Sequence, residues 1–237
     1  KGHRYQYDIT LGAGGSVDPL PTVSYMELPV ITNGTHLQYS LKMSTAKNRR
    51  NYAMLYDTEH KLAQWVAYPL TKDYIGSVSR TDRWAYDPFY PQNLQANLSK
   101  GYPNNGLLNI DRGHQIPSGD RTNDYNENVA TFYYTNMTPQ IKTLNQQVWA
   151  RLEDKVRSWA TASGVDTMYV VTGGMVTTAQ DKTVDYVDDN STRQVAKPKY
   201  YYKVLAMKRG TTYHTIGFRF NNVQTENRAD YMDYTKT

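Results

Sequence analysis

The scarcity of helical periodicity constrains the fold most. Leu144, Val148, Leu152, Val156 and Trp159 recur every three to four residues, which gathers them on one face of an α-helix as a core stripe. Thr143 and Gln146 form a T-x-x-Q capping box ahead of the stripe, and Gly164 supplies a C-terminal stop, so a helix is expected from about 144 to 162. Elsewhere the apolar runs are short and bounded by turn residues. Tyr52 to Tyr68 reads as two strands around a polar turn, and further strands are expected at 107–110, 129–135, 167–172, 200–207 and 215–220. One helix among many short strands predicts an α+β protein.

Gly12, Gly14, Gly15, Pro19 and Pro21 mark residues 1–22 as a leader or linker, leaving 23–237 as one domain. Residues 71–106 read as loop, with Asp87-Pro88 and Tyr90-Pro91 as breakers, and the polar stretch 177–199 as a long surface loop. The 22 Tyr, 4 Trp and 4 Phe supply the bulk of a core whose hydroxyls can sit at its edge. A net charge of +5 mildly favours an anionic partner. The absence of cysteine excludes disulfides, thiolate zinc sites and cysteine nucleophiles. No apolar run is long enough to span a membrane as a helix. The chain begins without Met or an apolar signal segment, which we read as a leader already removed from a secreted, periplasmic or cell-surface protein.

The segment carrying chemistry is Asn109-Ile110-Asp111-Arg112-Gly113-His114-Gln115-Ile116-Pro117, a short strand running into Asp, Arg, Gly and His before a proline. It places a histidine at a strand end. An imidazole of unperturbed pKa about 6.5 suits the activation of water. Gly113 lets the backbone turn tightly or approach a ligand. His3, His36, His60 and His214 show no ligand spacing and read as surface or satisfied histidines. Asn136 and Gln140 read as braces for the site or a turn, and Tyr200 to Tyr202 as strand.

The DRGH segment resembles the signature of the DNA/RNA non-specific endonucleases, a ββα-metal (His-Me finger) family that includes secreted bacterial nucleases and mitochondrial endonuclease G. Downstream, Asn136-Met137-Thr138-Pro139-Gln140 resembles the family's N-x-x-P-Q, and Leu144-Asn145-Gln146-Gln147-Val148-Trp149-Ala150-Arg151-Leu152-Glu153 its L-N-x-x-x-W-x-x-L-E. Weaker similarity reaches Arg80 to Pro88, Val171 to Gly174 and Tyr202-Lys203-Val204, so that about residues 25–222 are covered.

The resemblance implies a mainly antiparallel central sheet with one long site helix, and hydrolysis of DNA and RNA phosphodiester bonds. By the same resemblance His114 is the general base and Asn145 the one direct protein ligand of a single Mg²⁺ (or Mn²⁺) ion. Glu153 belongs to the site, and Arg157 matches a substrate-side basic position, though as an i, i+4 pair the two also read as a surface salt bridge. Arg112 and Arg80 are the candidates to meet phosphate oxygens, with Arg83 the fallback for Arg80, since some members place the arginine where this chain has Asp82. Asp111 is expected to orient water or an arginine. The family usually continues past Tyr234-Thr235-Lys236-Thr237, so the C-terminal end is expected to be truncated. A homodimer and an inhibitor protein are the partners this resemblance leaves open. A catalytically silent nucleic-acid binder and a nuclease toxin or effector domain are the competing functions.

Overall fold

The computed structural model describes residues 25–32, 34–103, 109–226 and 235–236. The leader expected at 1–22, His3 and part of the strand expected at 107–110 lie outside them. Along the described chain the elements run β1 (Leu37–Ser44), β2 (Arg49–Asp57), β3 (Leu62–Leu70), β4 (Ile110–His114), α1 (Tyr125–Ala130), β5 (Met137–Ile141), α2 (Lys142–Leu144), α3 (Ala150–Ala160), β6 (Thr167–Met175), β7 (Asp185–Asp188), β8 (Gln194–Lys197), β9 (Tyr200–Arg209), β10 (Thr212–Asn221) and β11 (Thr235–Lys236). Seven strands form one antiparallel sheet ordered β1-β2-β3-β6-β9-β10-β11. Two ribbons, β4–β5 and β7–β8, stand apart from it. Among the described residues no helix is long and apolar enough to cross a membrane.

The helical stripe explains how the layers meet. Leu144, Val148, Trp149, Leu152, Val156 and Ala160 share one core with Tyr68, Val170, Tyr201, Leu205 and Phe220 of the sheet. Trp149 stands 5.6 Å from the Tyr201 ring and 5.5 Å from that of Phe220, so the helix is pinned to β9 and β10 near its N-terminal end. On the opposite sheet face Tyr39, Leu55 and Trp65 form a second cluster, because successive strand residues point to alternate faces. The polar turn expected between β2 and β3 is built on Asp57, whose Oδ1 accepts from the Glu59 and His60 amides, both at 3.0 Å.

Four expectations change. The helix does not begin with a Thr143/Gln146 capping box: its N-cap is Ile141, without a side-chain cap, and the chain there is held by Asn222 Oδ1 accepting from the Ile141 amide at 2.8 Å. Tertiary contacts took over the work of a local cap. The strand expected at 129–135 is instead the end of α1 and a 3-10 turn, because Asp124 accepts from the Asn126 and Glu127 amides and starts a helix just upstream. The 177–199 loop contains the β7–β8 hairpin, whose turn is wrapped around Asp189. β1 was not anticipated, since Gln38, Ser40 and Lys42 blur its alternation and are nonetheless buried.

β4 starts at Ile110 and contains the whole DRGH segment, so His114 is the last residue of the strand. Gly113 serves a close approach, but to the neighbouring strand rather than to a ligand. A Cβ there would lie 2.3 Å from Gln140 Oε1 and 2.6 Å from Gln140 Cβ. Gly113→Ala should therefore force β4 and β5 apart and destabilise the protein by about 1–3 kcal/mol, read as a lower urea midpoint.

Candidate active site

β4 and the start of the site helix face each other across a cleft of about 500 Å³. β4 contributes Asp111, Arg112 and His114, the helix contributes Asn145, Gln146 and Glu153, and the loop before β4 contributes Arg80 and Trp84. The strand geometry places Arg112 and His114 on one face, where Trp84 meets both. The Arg112 guanidinium carbon is 3.6 Å from the Trp84 ring centroid, and the Trp84 and His114 rings meet edge to face at 5.5 Å. Phe132 closes the other side of the imidazole, 5.0 Å away at an interplanar angle of 86°.

This aromatic box sets the protonation of His114. Burial lowers its pKa, and the positive charges of Arg80 and Arg112 push the same way, to about 3, against a hydrogen bond to the Arg112 backbone. The imidazole is thus neutral at ordinary pH and able to accept a proton. Its Nε2 is buried and has no hydrogen-bond partner among the described residues. Behind it, Asn136 donates to the carbonyls of Ile116 (3.0 Å) and Thr131 (2.8 Å) and accepts from the Ile116 amide (3.1 Å), bracing the turn that follows β4.

Between α2 and α3 the helix widens into a π-helical turn at Asn145–Trp149 without a break in the chain's helical path. Such turns relax the ordinary spacing of successive side chains. Here Asn145 Nδ2 and Gln146 Nε2 both donate to Asp111 Oδ2 at 2.8 Å. With its amide nitrogen tied down, Asn145 presents a carbonyl oxygen that has no hydrogen-bond partner among the described residues. A hard oxygen donor flanked by carboxylates suits a small divalent cation that keeps most of its water, so the donor set fits Mg²⁺.

Glu153 lines the same cleft, and its carboxyl is raised to about 7, first by burial and then by Asp120, against Lys203, Arg157 and Trp149. Arg80 also lines it, donating to Asp82 Oδ1 (2.9 Å) and Ser118 Oγ (3.3 Å). The remaining two arginines are placed differently. Arg83 donates to the Tyr125 hydroxyl at 3.1 Å and is exposed outside the cleft lining. Arg157 pairs neither with Glu153 nor with the cleft: it donates to Asp120 Oδ1 at 2.7 Å and to Asp154, with its guanidinium against Gly119.

Among the described residues, the one group of three acidic or imidazole side chains close enough to hold an ion is Asp57, Glu59 and His60 in the β2–β3 turn. It lies outside the cleft lining. Its atoms are already engaged: His60 Nδ1 bonds Asp57 Oδ2 at 2.8 Å while Asp57 Oδ1 holds the turn. His60 is a satisfied histidine, and His36 and His214 are exposed.

Three contributors escaped the sequence reading. Gln146 reads in the sequence as part of a cap, although it directly follows Asn145. Trp84 lies within the weakly similar stretch from Arg80 to Pro88 and carries no signal of its own. Asp120, which gathers Arg157 and the Tyr68 hydroxyl (2.8 Å), carries no local signal at all.

The model of a family described as DNA/RNA non-specific endonuclease matches residues 32–237. A nuclease of Serratia marcescens is 30% identical over 191 residues, 80% of this chain and 68% of that protein. A nuclease of Nostoc sp. is 34% identical over 125 residues, 53% of this chain and 44% of its relative. Mitochondrial endonuclease G of Bos taurus is 27% identical over 203 residues, 80% and 66% of the two chains. This chain thus spans from under half to about two thirds of the length of these curated relatives. The solved structure of EndoG in complex with EndoGI superposes with a TM-score of 0.65 at 21% identity, covering 83% of this chain and 80% of that one. That likeness is one of fold, and it bears out the α+β, ββα-metal expectation.

Proposed function

Because this chain belongs to the DNA/RNA non-specific endonuclease family, whose members are hydrolases, we propose that its cleft hydrolyses phosphodiester bonds of DNA and RNA with His114 as general base and Asn145 as the protein ligand of one Mg²⁺ ion. The observation that carries the reading is that a neutral imidazole and an amide carbonyl freed by Asp111 line one cleft.

His114 takes a proton from water as the water oxygen attacks phosphorus. The bond from phosphorus to the leaving oxygen breaks, and that oxygen collects a proton from solvent. Arg112 and Arg80 meet the phosphate's non-bridging oxygens, Arg112 held flat against Trp84 and Arg80 braced by Asp82 and Ser118. Glu153 accepts hydrogen bonds from water in the cleft. Mg²⁺, when bound, supplies Lewis-acid stabilisation of the phosphate and the leaving oxygen. Asp111 fixes which end of the Asn145 amide faces the cleft. Contacts aimed at phosphate rather than base edges account for cleavage without sequence preference.

Incubating plasmid DNA and RNA with the protein, with Mg²⁺ or with chelator, tests the reading. Digestion of both that stops with chelator is expected, and digestion that chelator leaves unaffected would overturn it. Asp111→Ala frees the Asn145 amide to rotate and should weaken Mg²⁺ binding by about 10–100-fold, measured calorimetrically. Unchanged affinity would remove Asp111 from this role.

A further inference from the structure

Arg80 reaches the cleft from a stretch without regular structure, since residues 78–84 form neither helix nor strand. Near its two ends the stretch is tied down by backbone bonds: Val78 donates to the Thr122 carbonyl at 2.8 Å, and the Ala85 carbonyl accepts from the Tyr134 amide at 2.9 Å. The side-chain partners of Arg80 are weak holds by themselves. Its ion pair with Asp82 is about half exposed on both sides, and such pairs stabilise little. The bond to Ser118 Oγ is long, at 3.3 Å. Asp82 stands in the left-handed region at φ +48°, which aspartate tolerates without preferring it, so the aim of the pair depends on what fixes the backbone beside it.

Asn128 fixes it. This residue lies on α1, 47 residues from Thr81, and is fully buried. Its Oδ1 accepts from both the amide (3.1 Å) and the hydroxyl (2.9 Å) of Thr81, the residue between Arg80 and Asp82. Its Nδ2 donates to the carbonyls of Ser118 (2.9 Å) and Arg121 (3.0 Å). Two donors and two lone pairs are the whole capacity of a side-chain amide. All four are spent on the two loops that carry Arg80 and its partners, and Asn128 is outside the cleft lining.

We infer that Asn128 is a positioning residue for the cleft: it holds the Thr81 backbone and Ser118 in one frame and so fixes where the Arg80 guanidinium points. The inference deepens the endonuclease reading and rests on it for its purpose, whereas the hold on Arg80 is measurable without catalysis. Asn128 acts through Arg80 and does not itself meet the substrate.

The test follows the Arg80 Nε–H by nitrogen relaxation NMR in metal-free protein without substrate, its signal assigned as the one lost in Arg80→Lys. The order parameter should be near that of rigid backbone in wild type, about 0.85, and below about 0.6 in Asn128→Ala. A low value already in wild type, or one unmoved in the variant, would overturn the proposal. Should Asn128→Ala fail to fold, Thr81→Val decides in its place, since it removes one of the two bonds to Oδ1 and must lower the same order parameter. A kinetic cycle separates positioning from general loosening. Per folded molecule, Asn128→Ala should lower kcat/KM on DNA about tenfold when Arg80 is present and less than about twofold in an Arg80→Ala background, because its route to the substrate is then gone. Equal losses in both backgrounds would count against the proposal. Wild-type protein that digests no nucleic acid with Mg²⁺ would sink the endonuclease reading, while the relaxation measurement would still decide whether Asn128 holds Arg80.

Discussion

His114→Ala lowers the rate of phosphodiester hydrolysis by about 10²–10⁴-fold, the usual contribution of a positioned general base, while DNA binding under chelated conditions stays near that of the wild type. On the proposed reading Arg112 and Arg80, not the imidazole, meet the phosphate charge, and both have anchors other than His114. Gel-based digestion beside a binding isotherm at fixed salt checks it, and a variant that cleaves at the wild-type rate would remove His114 from the base role.

The same residue gives a pH signature. Its folded pKa lies near 3, below the unfolded value of about 6.5. The unfolded chain therefore binds the extra proton first, and the stabilisation is fully present above about pH 6.5 and declines as pH falls toward 3. Replacing His114 with Phe should flatten the urea midpoint across that window. Because the imidazole stays neutral, the acid limb of kcat/KM should follow the Glu153 carboxyl, near pH 7, rather than the histidine.

The second large effect is on stability. Asp87 is fully buried, and its Oδ2 takes the Lys42 ammonium at 2.8 Å and the Thr135 hydroxyl at 2.5 Å, while Oδ1 accepts from the Phe89 amide at 3.0 Å. Lys42 is ringed by Phe89, Tyr52 and Tyr90. Asp87→Ala leaves that ammonium uncompensated in an aromatic cage and should cost about 3–5 kcal/mol, read from urea unfolding. Lys42→Met combined with Asp87→Leu should recover much of the loss, because the pair as a whole offsets little beyond its own desolvation. No recovery in this double variant would show that the loop, rather than the pair, sets the stability. The loop itself matters to the site, since the segment closed by Asp87 and Gln95 continues from the one carrying Arg80 and Trp84.

What could be read from the letters were the features encoded by near neighbours. The helical stripe from Leu144 to Trp159 identified the one long helix and its core face, because a period of 3.6 residues needs no knowledge of the partner surface. The paired strands around Asp57 were equally local. His114, Asn145 and Glu153 were singled out through the family resemblance of the segments that carry them, and they line one cleft. The Thr143/Gln146 cap failed for the opposite reason: the same letters can serve a local cap or a distant partner, and Asp111, 35 residues away, claimed Gln146.

From the sequence alone the long helix and most strands of the large sheet could be read, for these depend on residue type and short spacing. Only the tertiary structure decided the state of the side chains. That His114 is neutral, that Asp111 takes the Asn145 amide nitrogen, that Arg157 is spent on Asp120, and that Lys203 is buried against the Trp149 ring all depend on fields and contacts from residues remote in the chain. Burial and partner geometry exist only once the sheet and helix have met, and they determine charge and orientation where residue identity does not.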